Sequence, residues 1–272
     1  MSKPFLKWAG GKSKLATFIE SHIPSKHRQR LVEPFAGSIA LSLALEFEAY
    51  FLNDTNGDLI ELYRVLKNEK QAFIDYAYSF FTSENNQDSR FYELREQFNG
   101  SKNTEERAAL FIYLNRHAFN GLCRYNSKGG FNVPFGKYRA PYFPKVEMEM
   151  FVEKSTRMEF SHGDFQTAFA QVQNTDIIYC DPPYVPLTET ASFTSYAKGG
   201  FNREDQIRLA KLVEQVYLNT QGILVSNHDL PFTREIYQQA RIETISVQRN
   251  IAAKGSSRNK VGELLAIYEP VI

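Results

Sequence analysis

The sequence predicts an α/β fold, an open parallel sheet wrapped by helices, with a helical insertion in its first half. Three observations carry this prediction. Short apolar runs stop abruptly at turns or carboxylates: Leu31-Val32 before Glu33-Pro34-Phe35-Ala36-Gly37-Ser38, Tyr50-Phe51-Leu52 before Asn53-Asp54, and Ile177-Ile178-Tyr179-Cys180 before Asp181-Pro182-Pro183-Tyr184. Helix-periodic segments separate such runs, as parallel strands require, because their connections must cross the sheet. Between residues 56 and 145 the strand signal disappears and aromatic-rich helical patterns replace it.

Phe5 to Gly11 is a short glycine-ended segment, and Lys12 to Ser21 reads as a modest helix. Ile39 to Phe47, rich in Ala and Leu, is the helix expected after the first turn; Asp58 to Leu66 follows the second strand. Lys70 to Phe81, Arg90 to Phe98 and Glu105 to Asn115 are further helical candidates. Asn120 to Pro144 is aperiodic and rich in Gly, Asn, Pro and Tyr. A loop of that length inside a compact domain is usually functional or disordered. Its aromatics (Tyr125, Phe131, Phe135, Tyr138, Tyr142, Phe143) favour an ordered, packed loop. The α/β pattern resumes with strands at Met158 to Ser161 and Asp176 to Cys180. A long helix follows at Asp205 to Leu218, with Leu209, Leu212, Val213 and Val216 on its apolar side. Gly222 to Ser226 is a strand, Phe232 to Gln239 a helix, Ile242 to Gln248 a strand, and Leu264 to Tyr268 a sheet-like run. The expected organisation is a discontinuous domain, 1–55 and 146–272, interrupted by a helical unit at 56–145 that carries a basic irregular arm.

Composition narrows the function. With 43% hydrophobic and 23% charged residues among 272, global disorder and a coiled coil are poor readings. No apolar run approaches the ~18 residues of a membrane span, and no secretory leader pattern opens the chain. Cys123 and Cys180 cannot supply a disulfide framework or a four-thiolate metal site, so a reducing cytoplasm is the plain expectation. His22, His27, His117, His162 and His228 lack ligand spacing, and no metal is expected. The net charge of +1 hides local asymmetry. Arg116, Arg124, Lys128, Lys137, Arg139 and Lys145 stand in an acid-free window, as do Arg249, Lys254, Arg258 and Lys260 in a second. Such windows can be solvated faces or an electrostatic footprint for a polyanion.

In open parallel sheets, ligands bind beyond the carboxyl ends of the strands, where strand order switches. The Phe35 to Ser38 turn would let a ligand approach the backbone, and Asp54, roughly 20 residues later, suits ribose hydroxyls. Any nucleoside cofactor fits that pair, although the absence of GxGxxG removes a pyrophosphate cradle. Gly11-Lys12-Ser13 is not a triphosphate loop, since Leu6 stands where its first glycine is required. Asp181-Pro182-Pro183-Tyr184 is more specific. Consecutive prolines make a stiff turn with free carbonyls, a carboxylate precedes them and an aromatic ring follows. The ring can stack on a base while the carboxylate and a proline carbonyl accept both hydrogens of an exocyclic amine. Bonded in this way, the nitrogen keeps its lone pair available as a nucleophile. Each feature alone also admits an ordinary explanation: a turn glycine, a solvated acid, a strand-ending Pro-Pro turn.

The ordered set is more informative than its parts. It comprises Phe5-Leu6-Lys7-Trp8-Ala9-Gly10-Gly11-Lys12, Glu33-Pro34-Phe35-Ala36-Gly37-Ser38, Asn53-Asp54, Tyr113-Leu114-Asn115-Arg116, Asn120-Gly121-Leu122-Cys123-Arg124-Tyr125-Asn126, Phe131-Asn132-Val133-Pro134-Phe135-Gly136, Asp181-Pro182-Pro183-Tyr184 and Asn227-His228-Asp229. Over nearly its whole length the chain resembles the Dam-like DNA adenine-N6 methyltransferases of the GATC-type D12 class. It departs from their pattern in carrying Ile39 where a second turn glycine often stands. The resemblance implies a Rossmann-like S-adenosylmethionine-dependent methyltransferase domain with an inserted helical DNA-recognition domain. The cofactor, S-adenosyl-L-methionine, would bind among Trp8, Lys12, Phe35, Ala36, Gly37, Ser38, Asp54, Asp164 and Asp181. Asp54 would hold the ribose, Lys12 would pair with a carboxylate of the site, and Asp164 would bond the adenine amino group. Asp181, Pro182, Pro183 and Tyr184 would act on an adenine rotated out of double-stranded DNA.

In the arm, the resemblance implies Arg124 on a guanine edge, Phe119 and Asn120 intruding among bases, and Leu122 and Pro134 against a thymine methyl. Tyr138 would contact DNA, and Arg116 and Lys137 would neutralise phosphates. Arg258 and Lys260 would form a second backbone-contacting loop. The implied target is GATC. The implied setting is a cytoplasmic, nucleoid-associated monomer of a bacterial or phage-infected cell, with no membrane and no obligate protein partner. Competing readings are an amino methyltransferase acting on RNA, protein glutamine or cytosine N4, a catalytically silent DNA-binding module, and a nucleotide-dependent oxidoreductase.

Overall fold

The computed structural model describes residues 3–23, 28–185, 200–247 and 261–270. In chain order, the first half contains α1 (Ala16–Ser21), β1 (Arg30–Glu33), α2 (Ala40–Ala44), β2 (Ala49–Asp54), α3 (Gly57–Tyr78), α4 (Asp88–Gly100), α5 (Thr104–His117) and α6 (Lys145–Ser155). The second half contains β3 (Met158–His162), α7 (Phe165–Phe169), β4 (Asp176–Cys180), α8 (Arg203–Val216), β5 (Gly222–His228), α9 (Pro231–Ile236), β6 (Arg241–Val247) and β7 (Val261–Tyr268). The seven strands lie in the order β3-β2-β1-β4-β5-β7-β6. The first five are parallel, and β7 runs antiparallel to both β5 and β6. The architecture is α/β and Rossmann-like, with the order reversing at β1, between β2 and β4.

Period-two side-chain alternation fills both faces of the sheet. Leu31, Tyr50, Leu52, Ile177, Tyr179 and Leu224 join one hydrophobic cluster, whereas Val32, Phe51, Ile178, Cys180, Ile223 and Val225 join another. The first cluster is continuous with the helices between β2 and β3: Phe73, Phe91, Phe98, Phe111 and Phe151 belong to it. The second is covered by α7, α8 and Tyr237. Among the described residues, no helix is long and apolar enough to cross a membrane.

Several expected elements take different bounds. The expected helices at 58–66 and 70–81 form one element broken at Lys70, whose φ of 51° and ψ of −122° are not helical. The helix expected over 39–47 shrinks to five residues, because Leu45 is extended and Tyr50 ties the Leu45 carbonyl (2.8 Å) and the Phe47 N–H (2.9 Å) into a turn. Helix α6 had no expected counterpart and buries Met148, Phe151 and Ser155 at helical spacing, whereas α7 begins at Phe165 with Asp164 as its cap, the alternative reading of that residue. Helix α8 turns its expected apolar side to the core: Leu209 and Val213 are buried with Gln206 and Ala210, and Leu212 and Val216 pack partly buried against the same cluster.

At the amino ends of β1 and β4, Arg30 forks onto Asp176, Nε to Oδ1 at 2.8 Å and an Nη to Oδ2 at 2.7 Å. The Asp176 side chain is fully buried, so loss of its partner strands a charge. Arg30→Ala is expected to destabilise the fold by about 3 kcal/mol, read as a lower urea midpoint at unchanged slope.

Candidate active site

The segment from Phe5 to Lys12 has no ladder of its own and is held from α5. Asn115 accepts the Lys7 N–H (2.8 Å) and donates to the Lys7 carbonyl (2.7 Å), with a longer bond to the Gly121 carbonyl (3.3 Å). Arg116 donates to the Phe5 carbonyl. The Phe5 ring packs edge-on against Tyr63 and Phe151. Gly121 adopts φ +63°, and a Cβ there would overlap the Lys7 side chain. Sequence reasoning gave Asn115 no role. An amide following the apolar run Leu110 to Leu114 was the available signal.

This strap delivers Lys12 to the carboxyl end of β4. Its Nζ lies 3.0 Å from Asp181, 4.0 Å from Glu263 and 4.6 Å from the Tyr184 ring centroid, and bonds the Gly10 carbonyl at 3.1 Å. Asp181 keeps 22% of its side chain exposed. Burial pushes its carboxyl up to about 6, and Glu263 adds to the rise, against the opposing pull of the Lys12 ammonium. The Tyr184 hydroxyl donates to Glu263 at 3.2 Å, and its ring meets His228 edge-on at 4.8 Å. Glu263 on β7 was not among the expected residues, because only the fold brings the last strand beside the Pro-Pro turn.

The tips of β1 and β2 form the neighbouring part of the site. Asp54 accepts the Gly37 N–H on one carboxylate oxygen and the Asn56 N–H on the other, each at 2.9 Å, and burial raises its pKa. Gly37 has φ +47°, and a Cβ there would come within 2.8 Å of the Trp8 indole nitrogen. Tyr63 donates to the Gly37 carbonyl at 2.7 Å. Ile39, the departure from the family pattern, sits in the left-handed region at φ 50°, ψ 33°. That conformation is costly for a β-branched residue and natural for glycine. Glu33 at the end of β1 is buried; desolvation pushes it up to about 7 despite bonds from the Ser42 N–H and hydroxyl.

Asp164 caps α7 through the Gln166 N–H (2.9 Å) and receives both ends of the Arg208 guanidinium (3.1 and 2.8 Å). Desolvation opposes its ionisation, yet Arg208 holds its pKa below the usual range. Phe35 stacks on Phe165 at 5.4 Å and meets Phe201 edge-on.

Residues 8–251 match the family described as D12 class N6 adenine-specific DNA methyltransferase. A DNA adenine methylase of Vibrio cholerae is 47% identical over 98% of this chain and 96% of its own. That of Escherichia coli K12 is 43% identical over 99% and 96%, and that of Serratia marcescens 44% over 98% of each. The chain belongs to the D12 class of N6 adenine-specific DNA methyltransferases.

The basic arm of this methyltransferase is ordered, as its aromatics implied. Phe135 packs against Phe91, Tyr125 against Phe131, and Phe143 against Phe81. Antiparallel bridges join Ala118 to Phe135 and Tyr125 to Phe131, which folds the first part of the arm back on itself. Phe119 is 50% exposed and Leu122 39%, and Asn120, Arg124, Pro134 and Lys137 are exposed beside them. Tyr138 bonds the Asn120 N–H (2.9 Å) and carries the Lys7 ammonium over its ring (4.3 Å). Asn132 accepts the Arg124 Nε–H at 2.8 Å, steering the guanidinium. Arg116 departs from the expectation of a phosphate contact. It is 8% exposed and bonded to Phe5, because it closes the buried face of α5. Arg258 and Lys260 lie outside the described residues.

The sequence contains one tryptophan, so Trp8 is a built-in reporter of this turn. Gly37→Ala is expected to displace the indole and to shift its emission maximum in the folded protein. Fluorescence spectra of the variant and the parent, with circular dichroism to verify folding, check this.

Proposed function

We propose that the enzyme transfers a methyl group from S-adenosylmethionine to N6 of an adenine turned out of double-stranded DNA, within GATC. The reading rests on Asp181, held at the tip of β4 beside Lys12 and Tyr184, across β1 from Asp54 at the tip of β2. Trp8, Lys12, Phe35, Ala36, Gly37, Ser38, Asp54, Asp164 and Asp181 are the proposed donor-binding residues. They fit such a molecule. The absence of a side chain at Gly37 lets the Trp8 indole pack directly on the turn, and the Asp54 carboxylate, held by the Gly37, Asn56 and Thr55 N–H groups, retains acceptor capacity for a ribose hydroxyl. Asp164 retains acceptor capacity despite Arg208. S-adenosylmethionine supplies an electrophilic methyl on a sulfonium.

The chain's own residues prepare the nucleophile. Tyr184 stacks on the extruded base, and Asp181 with the Pro182 carbonyl accepts the two amino hydrogens, directing the nitrogen lone pair outward. As the new C–N bond forms, the nitrogen becomes cationic and its proton acidic, so a carboxylate of modest basicity suffices. Lys12 keeps Asp181 ionised at neutral pH against the burial that opposes it. Positioning and electrostatics supply the acceleration. The unit at 56–145 serves as the target-recognition insertion, with Arg124 reading a guanine edge and Phe119 and Asn120 occupying space beside the extruded base. Leu122 and Pro134 meet a thymine methyl, and Lys137 and Tyr138 meet the backbone. The free thiols of Cys123 and Cys180 fit a reducing cytoplasm.

Asp181→Ala is expected to lower methyl transfer on the order of 10²–10⁴-fold at saturating donor. In the parent enzyme, the rate rises with pH through about 6 and then levels, because only the ionised Asp181 accepts the amino hydrogens. Radiolabelled methyl transfer to a GATC duplex from pH 5 to 8 measures both, and a flat acid limb removes Asp181 from this role.

Arg124→Ala is expected to cost ~1–3 kcal/mol of discrimination at one guanine while donor affinity stays unchanged. Lys137→Ala weakens every duplex alike and reduces the salt slope by about one. Rates on GATC and guanine-substituted duplexes at fixed salt separate the two roles; an equal loss on every duplex makes Arg124 a backbone contact.

A further inference from the structure

Behind the Pro-Pro turn stands a pair of buried amides that no step above uses. Gln206 on α8 is 2% exposed and Asn227 on β5 is fully buried. Gln206 Nε2 donates to the Pro183 carbonyl at 2.8 Å, and its Oε1 accepts from Asn227 Nδ2 at 2.9 Å. Asn227 Oδ1 in turn accepts the Val185 N–H at 3.3 Å and the His228 N–H at 2.9 Å. The direction of every bond is forced. A carbonyl can only accept, so Gln206 must present its nitrogen to Pro183, which leaves its oxygen for Asn227. Asn227 must then present its own oxygen to the two peptide donors.

Two buried amides carry a desolvation cost that hydrogen bonding offsets. In this relay every amide nitrogen and oxygen has a partner, and the chain closes on both sides of one residue, Tyr184. Strand β4 ends at Cys180, so no sheet ladder fixes the segment Pro183-Tyr184-Val185. His228 Nδ1 adds a contact to the Val185 carbonyl at 2.6 Å. The base of α8 is itself anchored: Asn202 accepts the Glu204 and Asp205 N–H groups, and Asp205 accepts the Asn202 N–H.

We propose that Gln206 and Asn227 are positioning residues for methyl transfer, a coupled amide relay that clamps the backbone on either side of Tyr184 and so fixes the ring that receives the target base. The inference rests on the reading of Asp181 to Tyr184 as the catalytic turn. Misplacement of a reacting group by ~1 Å costs on the order of 10²-fold. The clamp therefore acts on the chemical step while leaving donor and DNA affinity nearly untouched.

The test compares Gln206→Met, Asn227→Leu and the double variant with the parent. Donor stoichiometry and Kd come from calorimetry, DNA affinity from anisotropy, and the single-turnover rate at saturating donor and GATC duplex is normalised to donor-competent protein. Each single variant is expected to lose roughly 10- to 100-fold in single-turnover rate, with both affinities within about threefold of the parent. The double variant should be no slower than the slower single, since the two amides act as one chain. A rate within about twofold of the parent in either single, losses that multiply in the double, or a rate loss matched by weaker donor binding overturns the proposal. Should the methionine variant not bind donor, Gln206→Glu, which keeps the volume and loses the donor group, carries the same expectation. Asp181→Ala in parallel separates the two levels. Its retention of turnover refutes the catalytic turn itself, whereas a dead Asp181→Ala beside a fully active Gln206→Met refutes the clamp alone.

Discussion

The pairing of one side-chain amide with the backbone of one residue holds the molecule's two working regions together. Asn115 bonds both the N–H and the carbonyl of Lys7, a residue in a segment with no secondary structure of its own. In one direction the strap continues to Trp8 beneath the glycine turn and to Lys12 against Asp181. In the other, α5 continues into Phe119 and the exposed arm, where Lys7 returns to cover Tyr138. A buried amide that satisfies both the N–H and the carbonyl of one residue has no comparable alternative partner, so the strap has one register. The placement of the lysine at the turn and of the arm above it follows from that register.

The electrostatics follow the topology. Glu33, Asp54 and Asp181 sit at or just beyond the carboxyl ends of β1, β2 and β4, and Glu263 joins them on β7. Desolvation raises the pKa of the first three. Lys12 lies within 4.0 Å of both Asp181 and Glu263. A site with this excess of carboxylates favours a cationic group over an anionic one.

Legibility in the sequence followed the range of the forces involved. Asp54 and Asp181 were visible because a strand, its end and its carboxylate are contiguous, and the sheet then only needed to align the tips. The ordered arm was visible because its aromatics are dense enough to demand burial. Strand β7 could be read as a strand but not placed, since its position between β5 and β6 is a non-local choice. Arg116 misled for a related reason: it stands in a basic window, yet it ends a helix buried on most sides, and local charge cannot reveal burial. Asn227 stood in the Asn227-His228-Asp229 motif but without a role, and Gln206 gave no mark, because their bond to each other joins α8 to β5 across the fold. Glu33 and Glu263 gave no sign that their environments would be dry.

The strand order also has a consequence for synthesis. Strand β7 lies between two strands that precede it, with Glu263 in register opposite His228. A nascent chain contains Asp54, Asp181 and Tyr184 well before the carboxylate that the tyrosine hydroxyl bonds. Strands β5 and β6 must wait, unjoined, for their common neighbour. The acidic pocket therefore cannot be complete until β7 has been made. A growing polypeptide that has already made its Pro-Pro turn still holds an unfinished site.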